Sequence, residues 1–253
     1  MPVRFGVRVV VVAVGLTLLG AVPARSASPQ PHRNIQPSPN FMNVCAEQGA
    51  MSDACVADSV SAIDAARRRE RMRRYPLLLP RNYLSLNAAR KAFVILNLER
   101  VDRGLRPIAG MVGPLNRRAR VAAAYGADPH PSLRRLQRMG VRVYRTLYAI
   151  DYGMLAADYE WMYNDGYATS GTGVTTNAAC PRDGAQGCWA HRAAILEPFA
   201  GLRHLFCGIG VVDGPGGSRR VAVTLVAGHG WAPRYTFTWR QALSHGANGH
   251  RTG

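Results

Sequence analysis

The residues best suited to chemistry lie near the end of one long stretch, Trp161–Leu196. His191 begins a short apolar run there, and an imidazole can transfer protons near neutral pH. Cys188 precedes it by three residues, which places both side chains on one face if a helix begins early. That spacing is compatible with a Cys–His nucleophile pair. A disulfide between Cys188 and Cys180 is the competing interpretation, because a reactive thiol survives poorly in an oxidising compartment.

His191 also has a structural interpretation, as the first residue of a short helix bonded to the backbone. Other nucleophile patterns are missing, since Ser132 and Ser170 lack a nucleophile-elbow context. Neither a glycine-rich phosphate loop nor a paired-carboxylate glycosidase pattern occurs. The sequence therefore gives no support to a serine hydrolase of that class, a nucleotide-binding enzyme or a glycosidase.

Aromatic side chains bracket the same stretch and suggest a ligand-binding groove. Tyr163, Tyr167 and Trp189 are candidates to contact a sugar, a lipid or a peptide. Core packing explains Trp161 and Trp189 equally well. Tyr163 and Tyr167 flank Asn164-Asp165-Gly166, a turn that we expect to be exposed.

The N-terminus has the features of a secretory signal peptide over residues 1–24. Arg4 and Arg8 precede an apolar run, Val9–Leu19, and small residues follow at Val22-Pro23-Ala24. An uncleaved membrane anchor is the alternative, but the run is shorter than the roughly 20 residues that a spanning helix needs. We expect a secreted, extracellular protein that is not integral to the membrane after cleavage.

Five cysteines in an oxidising compartment predict disulfides with one thiol left over. The local pairings are Cys45 with Cys55 and Cys180 with Cys188. Cys207 lies in a strand-like segment and would remain a buried free thiol. The sequence alone does not fix this connectivity.

The chain is strongly basic, with 32 Lys+Arg against 15 Asp+Glu and a formal net charge of +17. Lys91 is the only lysine. Such a charge attracts anionic polymers, and the basic helix that ends in Arg67–Arg74 is a candidate tether. The alternative is a solvated surface, which the scattered arginines favour.

Apolar periodicity outlines the elements that must position these residues. A helix is predicted from Ser85 or Asn87 to about Val101, and Val141–Arg145 alternates as a half-buried strand. Gly208–Val226 reads as an antiparallel hairpin, to which Tyr235–Trp239 adds a third strand. Helices that precede hairpin-connected strands predict an α+β fold with an antiparallel sheet. We divide the chain into a signal peptide (1–24), an N-terminal extension (25–83), a main domain (84–242) and a flexible tail (243–253).

Several motifs in order resemble the CAP superfamily of cysteine-rich secretory proteins, antigen 5 and pathogenesis-related proteins. Leu96–Arg100 with Gly104–Pro107 resembles the first-helix pattern of that family. Trp161 resembles the tryptophan that ends its second long helix. His191–Leu196 followed by Cys207–Val211 resembles the bacterial SCP-like "HR-x-NIL … GvGv" block. The insertion Gly166–Cys188 is similar to a variant found in bacterial, especially actinobacterial, members. Together these segments span about Leu86 to Trp239.

The resemblance implies an α-β-α sandwich, with a central antiparallel sheet flanked by helices. It also implies a shallow cleft built by two histidines and two acidic residues, which match His191, His130, Glu160 and Asp165. The usual Gly-Glu-Asn motif is replaced near Tyr144-Arg145-Thr146, and an arginine repels a cation. We therefore expect no metal or other cofactor, although His130 with His191 could hold zinc weakly.

Three functions follow from these features. The first is a secreted CAP-like module that binds an extracellular or envelope lipid, glycan or protein without catalysis. The second is a secreted hydrolase that uses His191 with an acidic partner. The third is a basic tether to anionic polymers.

Overall fold

The computed structural model describes residue 31 and residues 34–74, 76–165, 168–170, 173–175, 189–230 and 233–247, with the backbone alone for 168–170 and 173–175. Eight α-helices fall in these ranges: α1 Phe41–Gln48, α2 Asp53–Arg69, α3 Ala88–Asp102, α4 Gly113–Tyr125, α5 Leu133–Arg138, α6 Met154–Tyr163, α7 Ala190–Leu196 and α8 Trp239–Ser244. The strands there are β1 Gly110–Val112, β2 Val141–Asp151, β3 Ala168–Ser170, β4 Gly173–Thr175, β5 His204–Asp213, β6 Arg219–Gly228 and β7 Tyr235–Thr238.

The first two helices form a disulfide-linked pair. Asn40 and Ser52 begin them by accepting hydrogen bonds from backbone N–H groups of the first turn. The Cys45–Cys55 disulfide joins α1 to α2, which confirms that pairing. Phe41 packs edge-on against Tyr159 of α6 at 5.4 Å between ring centroids. The pair is therefore part of the main hydrophobic core.

Helix α3 is the central helix, and its prediction is confirmed. Asn87 begins it by accepting a hydrogen bond from the N–H of Arg90 at 3.0 Å. Its apolar side chains are almost fully buried because the helix lies between the sheet and the other helices. Gly104 follows its end with a φ of 75°, a conformation that favours glycine.

The main sheet has the strand order β2-β6-β5-β1-β7. The predicted hairpin is confirmed as β5–β6, with Ile209 opposite Val223. The predicted strand at Val141 is also present, but it continues to Asp151 along β6. β7 pairs with β1 and not with the hairpin, and β1 runs parallel to β5. The sheet is therefore mixed, whereas the prediction was antiparallel; the three-residue β1 was too short for its alternation to be visible.

Helices cover both faces of this sheet. Cys207 and Ile209 point into the larger core with α1, α2, α3 and α6. Phe206 and Val226 point the other way, against Leu115 of α4. A Cβ atom at Gly210 would collide with the backbone of α4, so glycine is needed for this close approach. The α+β fold with a central sheet flanked by helices is thus confirmed.

Within the described part of the chain, no helix is both long and apolar enough to cross a membrane. The signal-peptide prediction lies outside the described residues.

Candidate functional site

Helices α6 and α7 bring the candidate catalytic residues together. Asp165 follows α6 by two residues, and His191 is the second residue of α7. The Asp165 carboxylate accepts hydrogen bonds from the backbone N–H groups of His191 at 2.8 Å and Arg192 at 3.2 Å. A carboxylate at this position satisfies N–H groups that have no partner within the helix. Asp165 therefore fixes the start of α7.

The same carboxylate binds the His191 ring. Nδ1 of His191 lies 2.7 Å from Oδ1 of Asp165. Because a carboxylate oxygen accepts, Nδ1 carries the proton in this contact, which leaves Nε2 for proton transfer. The His191 side chain is 22% exposed and that of Asp165 is 2% exposed. The expected acidic neighbour of His191 is thus in place.

Electrostatics favour a charged imidazole. Burial opposes the imidazolium, but the hydrogen bond and charge of Asp165, together with the charges of Asp128 and Glu160, raise the pKa of His191 above its ordinary value. Burial also raises the pKa of Asp165, although its hydrogen bonds from His191 and Arg192 oppose this. His191 consequently keeps its proton to a higher pH than a free histidine.

Glu160, whose charge acts on His191, and Asp151, whose charge acts on Glu160, both have strongly raised pKa values. Burial first, and then the charges of Asp151 and Asp165, raise the pKa of Glu160 to about 8. Burial raises the pKa of Asp151 to about 7, against the hydrogen bond from the N–H of Tyr152. Glu160 was predicted here, but Asp128 and Asp151 were not. Asp151 ends β2, six residues beyond the end of the predicted strand, so the sequence pattern did not place it at the site.

Trp161 supports the ring from one side. Its indole lies 6.4 Å from the His191 ring between centroids, and its Nε1 donates to the carbonyl oxygen of Tyr148 at 3.0 Å. Trp161 is 1% exposed, so core packing explains it.

His130 lies in a different surface feature, which we call the α4 groove. It is a cavity of about 510 Å³ between α4 and the Asp128–Arg135 segment, lined by His130, Asp128, Thr224 and the groove arginines, Arg117, Arg118 and Arg135. Val121 and Tyr125 line it as well and are 57% and 84% exposed. Asp128 is the link between the two places, because it lines the groove and its charge also acts on His191.

A metal finds little support in the described residues. None of their His, Cys, Asp and Glu side chains form a group of three or more that could hold an ion. His130 lines the α4 groove, whereas the His191 ring binds Asp165, so the weak zinc site stays a prediction. Arg145, expected to repel a cation, pairs with Glu197 at 2.9 Å.

Two of the candidate ligand-contacting residues are buried: the predicted exposure of Tyr163 was wrong, and core packing, the alternative given for Trp189, accounts for that residue. Tyr163 is 0% exposed, and its hydroxyl lies 3.1–3.2 Å from both carboxylate oxygens of Glu99. Trp189 is also 0% exposed, with a left-handed backbone (φ 63°) at the start of α7. Tyr167, Cys180 and Cys188 lie outside the described residues, so the second disulfide and the Cys–His pair stay predictions.

The prediction of a basic tether over Arg67–Arg74 is wrong for its first residue, Arg67. Arg67 is 0% exposed and binds Glu99 at 2.7 Å and Asp102 at 2.8 Å. It is a buried ion-pair partner, because its guanidinium reaches from α2 to these two carboxylates of α3. Arg67 cannot contact a polymer.

Comparison with known proteins finds no matching family model, no matching curated protein and no matching solved structure.

Proposed function

We propose that this chain is a secreted, CAP-like binding module that takes up an anionic lipid in the α4 groove. The observation that carries the proposal is the coincidence of exposed apolar side chains and three arginines in one cavity of about 510 Å³. This volume lies in the range of small-molecule sites. The CAP-like motifs and the N-terminal signal pattern are what support secretion.

The apolar part of the groove favours a lipid over a plain polyanion. Exposed apolar side chains that cluster within a polar rim mark interaction sites, and Val121 and Tyr125 lie one helical turn apart on α4. A second cavity of about 220 Å³ shares Pro114, Leu115 and Arg118 with the groove and extends it towards Met139. The groove therefore has room for an acyl chain beside its cationic rim.

The arginines supply the charge selectivity. Arg117, Arg118 and Arg135 are all exposed at the groove, and a guanidinium binds phosphate oxygens in a bidentate geometry. Their charge adds to the chain's net positive field, which concentrates anions near the surface. A phosphatidylglycerol headgroup fits this chemistry better than a zwitterionic one.

The test is co-sedimentation of the purified chain with vesicles of phosphatidylglycerol or of phosphatidylcholine at physiological salt. We expect binding to phosphatidylglycerol alone. The Arg117→Ala/Arg118→Ala/Arg135→Ala variant should lose most of it, whereas a control with Arg81, Arg203 and Arg240 changed to alanine should keep it.

A second variant separates the groove from general charge attraction. Val121→Ser leaves the net charge unchanged and should still weaken binding, because it removes apolar contact. Equal binding by the groove triple variant and its control, or no effect of Val121→Ser, would reject the groove as the site.

A hydrolase is the second candidate function, favoured by the 2.7 Å contact between His191 and Asp165. In this mechanism the neutral form of His191, which is populated above its raised pKa, takes a proton at Nε2 from a water molecule, whose oxygen attacks an ester carbonyl. The same proton then passes to the leaving alcohol, while Asp165 stabilises the imidazolium.

Hydrolysis of short- and medium-chain p-nitrophenyl esters tests this candidate. His191→Gln should abolish turnover, and the exposed control His229→Ala should not. Equal turnover by His191→Gln and wild type, or none by either, would remove the hydrolase reading.

A further inference from the structure

The chain's only lysine lies in a cavity that the proposed function does not use. Lys91 belongs to α3 and lines a space of about 480 Å³ with Met51, Tyr83, Tyr152 and Arg219. The cavity lies between the turn that joins α1 to α2 and the turn that joins β2 to α6. Lys91 is only 6% exposed, which is unusual for a lysine.

The Lys91 amine has no oxygen acceptor among the described residues. Its Nζ lies 2.9 Å from the sulfur of Met51 and 5.6 Å from the centre of the Tyr83 ring. A thioether is a weak acceptor, and an aromatic face provides modest stabilisation of a cation. No carboxylate from the described part of the chain lines the cavity. The charged ammonium form is therefore poorly compensated.

The groups that the structure describes around Lys91 also leave its ammonium form without a compensating negative charge. Burial lowers the pKa of Lys91. Burial, with a contribution from Asp158, raises the pKa of the Tyr83 phenol, so that phenol does not supply a negative charge. Arg219 also lines the cavity, and its guanidinium pairs with Asp213. The face of the Tyr83 ring stabilises the ammonium modestly, which offsets only part of the cost of burying it.

We propose that Lys91 is a carbonyl-binding amine, which forms an imine with a small aldehyde that enters this cavity. Desolvation is one known way in which proteins make a lysine nucleophilic. The Nζ lone pair attacks the carbonyl carbon and gives a carbinolamine. The carbonyl oxygen then leaves as water with the two protons of the amine, and a C=N bond remains. The cavity's size suits a substrate of small-molecule dimensions.

This inference is independent of the α4 groove and of His191, which lie elsewhere in the fold. A single lysine also makes it unusually easy to test, because the only other primary amine is the N-terminal one.

In the test, the purified full chain is treated with benzaldehyde and sodium cyanoborohydride at pH 7. Intact-mass measurement then counts the adducts, and peptide mapping locates them. Reduction of the imine adds one benzyl group at the site. We expect one adduct at Lys91 in the folded chain, formed faster than at the same lysine in guanidinium chloride. The unfolded chain serves as the reference for an ordinary lysine.

The unfolded chain also distinguishes an activated lysine from one that burial merely protects. If burial merely protects Lys91, the folded chain labels more slowly than the unfolded chain, or only at its N-terminus, and the proposal fails. Lys91→Arg and Lys91→Met should each lose the internal adduct and keep the N-terminal one. The comparison of folded with unfolded wild type holds even if neither variant folds.

Discussion

The Asp165 carboxylate holds His191 at two places, with one oxygen 2.7 Å from the ring nitrogen Nδ1 and the other 2.8 Å from the backbone nitrogen. The residue that starts α7 is thus also the residue that orients the imidazole. The ring orientation and the helix start depend on one another, which keeps Nε2 in a fixed direction.

Asp165→Asn should lower the pKa of His191. The amide oxygen can still accept from the two backbone N–H groups, but it carries no charge to stabilise the imidazolium. In the wild type, Asp165 helps to raise the pKa of His191 above that of a free histidine. The variant lacks this charge, so its His191 should titrate at a lower pH than in the wild type. NMR titration of the imidazole Cε1–H resonance measures it, with the exposed His130 as internal reference. An unchanged midpoint would show that Asp165 does not control the ring.

Asp151→Asn should flatten the pH dependence of stability. The folded state raises the pKa of this carboxyl to about 7, so it binds the proton more tightly than the unfolded state. The protonated Asp151 therefore contributes its full stabilisation at low pH. This contribution to the free energy of unfolding is lost as the pH rises from about 4 through 7. An amide stays neutral throughout, and its oxygen can still accept from the N–H of Tyr152.

The free energy of unfolding by guanidinium chloride, measured from pH 4.5 to 8.5, checks this. Relative to wild type, Asp151→Asn should gain stability at the alkaline end and little at the acid end. Glu47→Gln, at an exposed position of α1, is the matched control and should run parallel to wild type. Parallel curves for Asp151→Asn would contradict the raised pKa.

The Cys45→Ser/Cys55→Ser variant should lose about 3 kcal/mol of stability, because the bond closes a loop with a sequence separation of 10. Denaturant unfolding under non-reducing conditions gives the difference. Reducing agent should bring wild type close to the variant and leave the variant unchanged. A wild type that is equally stable when reduced would show that α1 and α2 are held by packing alone.

Local patterns in the sequence predicted what depends on local physics. The apolar face of α3 and the glycine turn between β5 and β6 are visible within a short window, and both predictions are confirmed. Tyr163 and Arg67 were misjudged because their partner Glu99 lies 64 and 32 residues away in the chain. A tyrosine next to a turn is predicted to be exposed, and an arginine in a basic run is predicted to be solvated. Both residues are buried here because the fold places the Glu99 carboxylate beside them. The place of Asp165 beside His191 came from the family resemblance, and propensity alone would not have given it.

Loss of Arg67 should cost far more stability than loss of an exposed arginine of the same helix. It binds Glu99 and Asp102 inside the protein, and the Glu99 carboxylate also pairs with Arg103 and accepts from Tyr163. Burial alone would raise the pKa of Glu99, but the charges of Arg103 and Arg67 lower it to about 2. Glu99 therefore remains ionised in the core, where an unpaired charge is costly.

Arg67→Met keeps the length and the apolar contacts of the side chain and leaves two buried carboxylates with less positive charge. Loss of one partner of a buried ion pair typically costs about 3–5 kcal/mol. Arg69→Met, two residues further along α2 and exposed, is the matched control and should change stability by less than about 0.5 kcal/mol. Unfolding in guanidinium chloride at pH 7 compares the three proteins. Because Arg67 joins α2 to α3, a small loss would mean that the helices of the N-terminal extension are held independently of this ion pair.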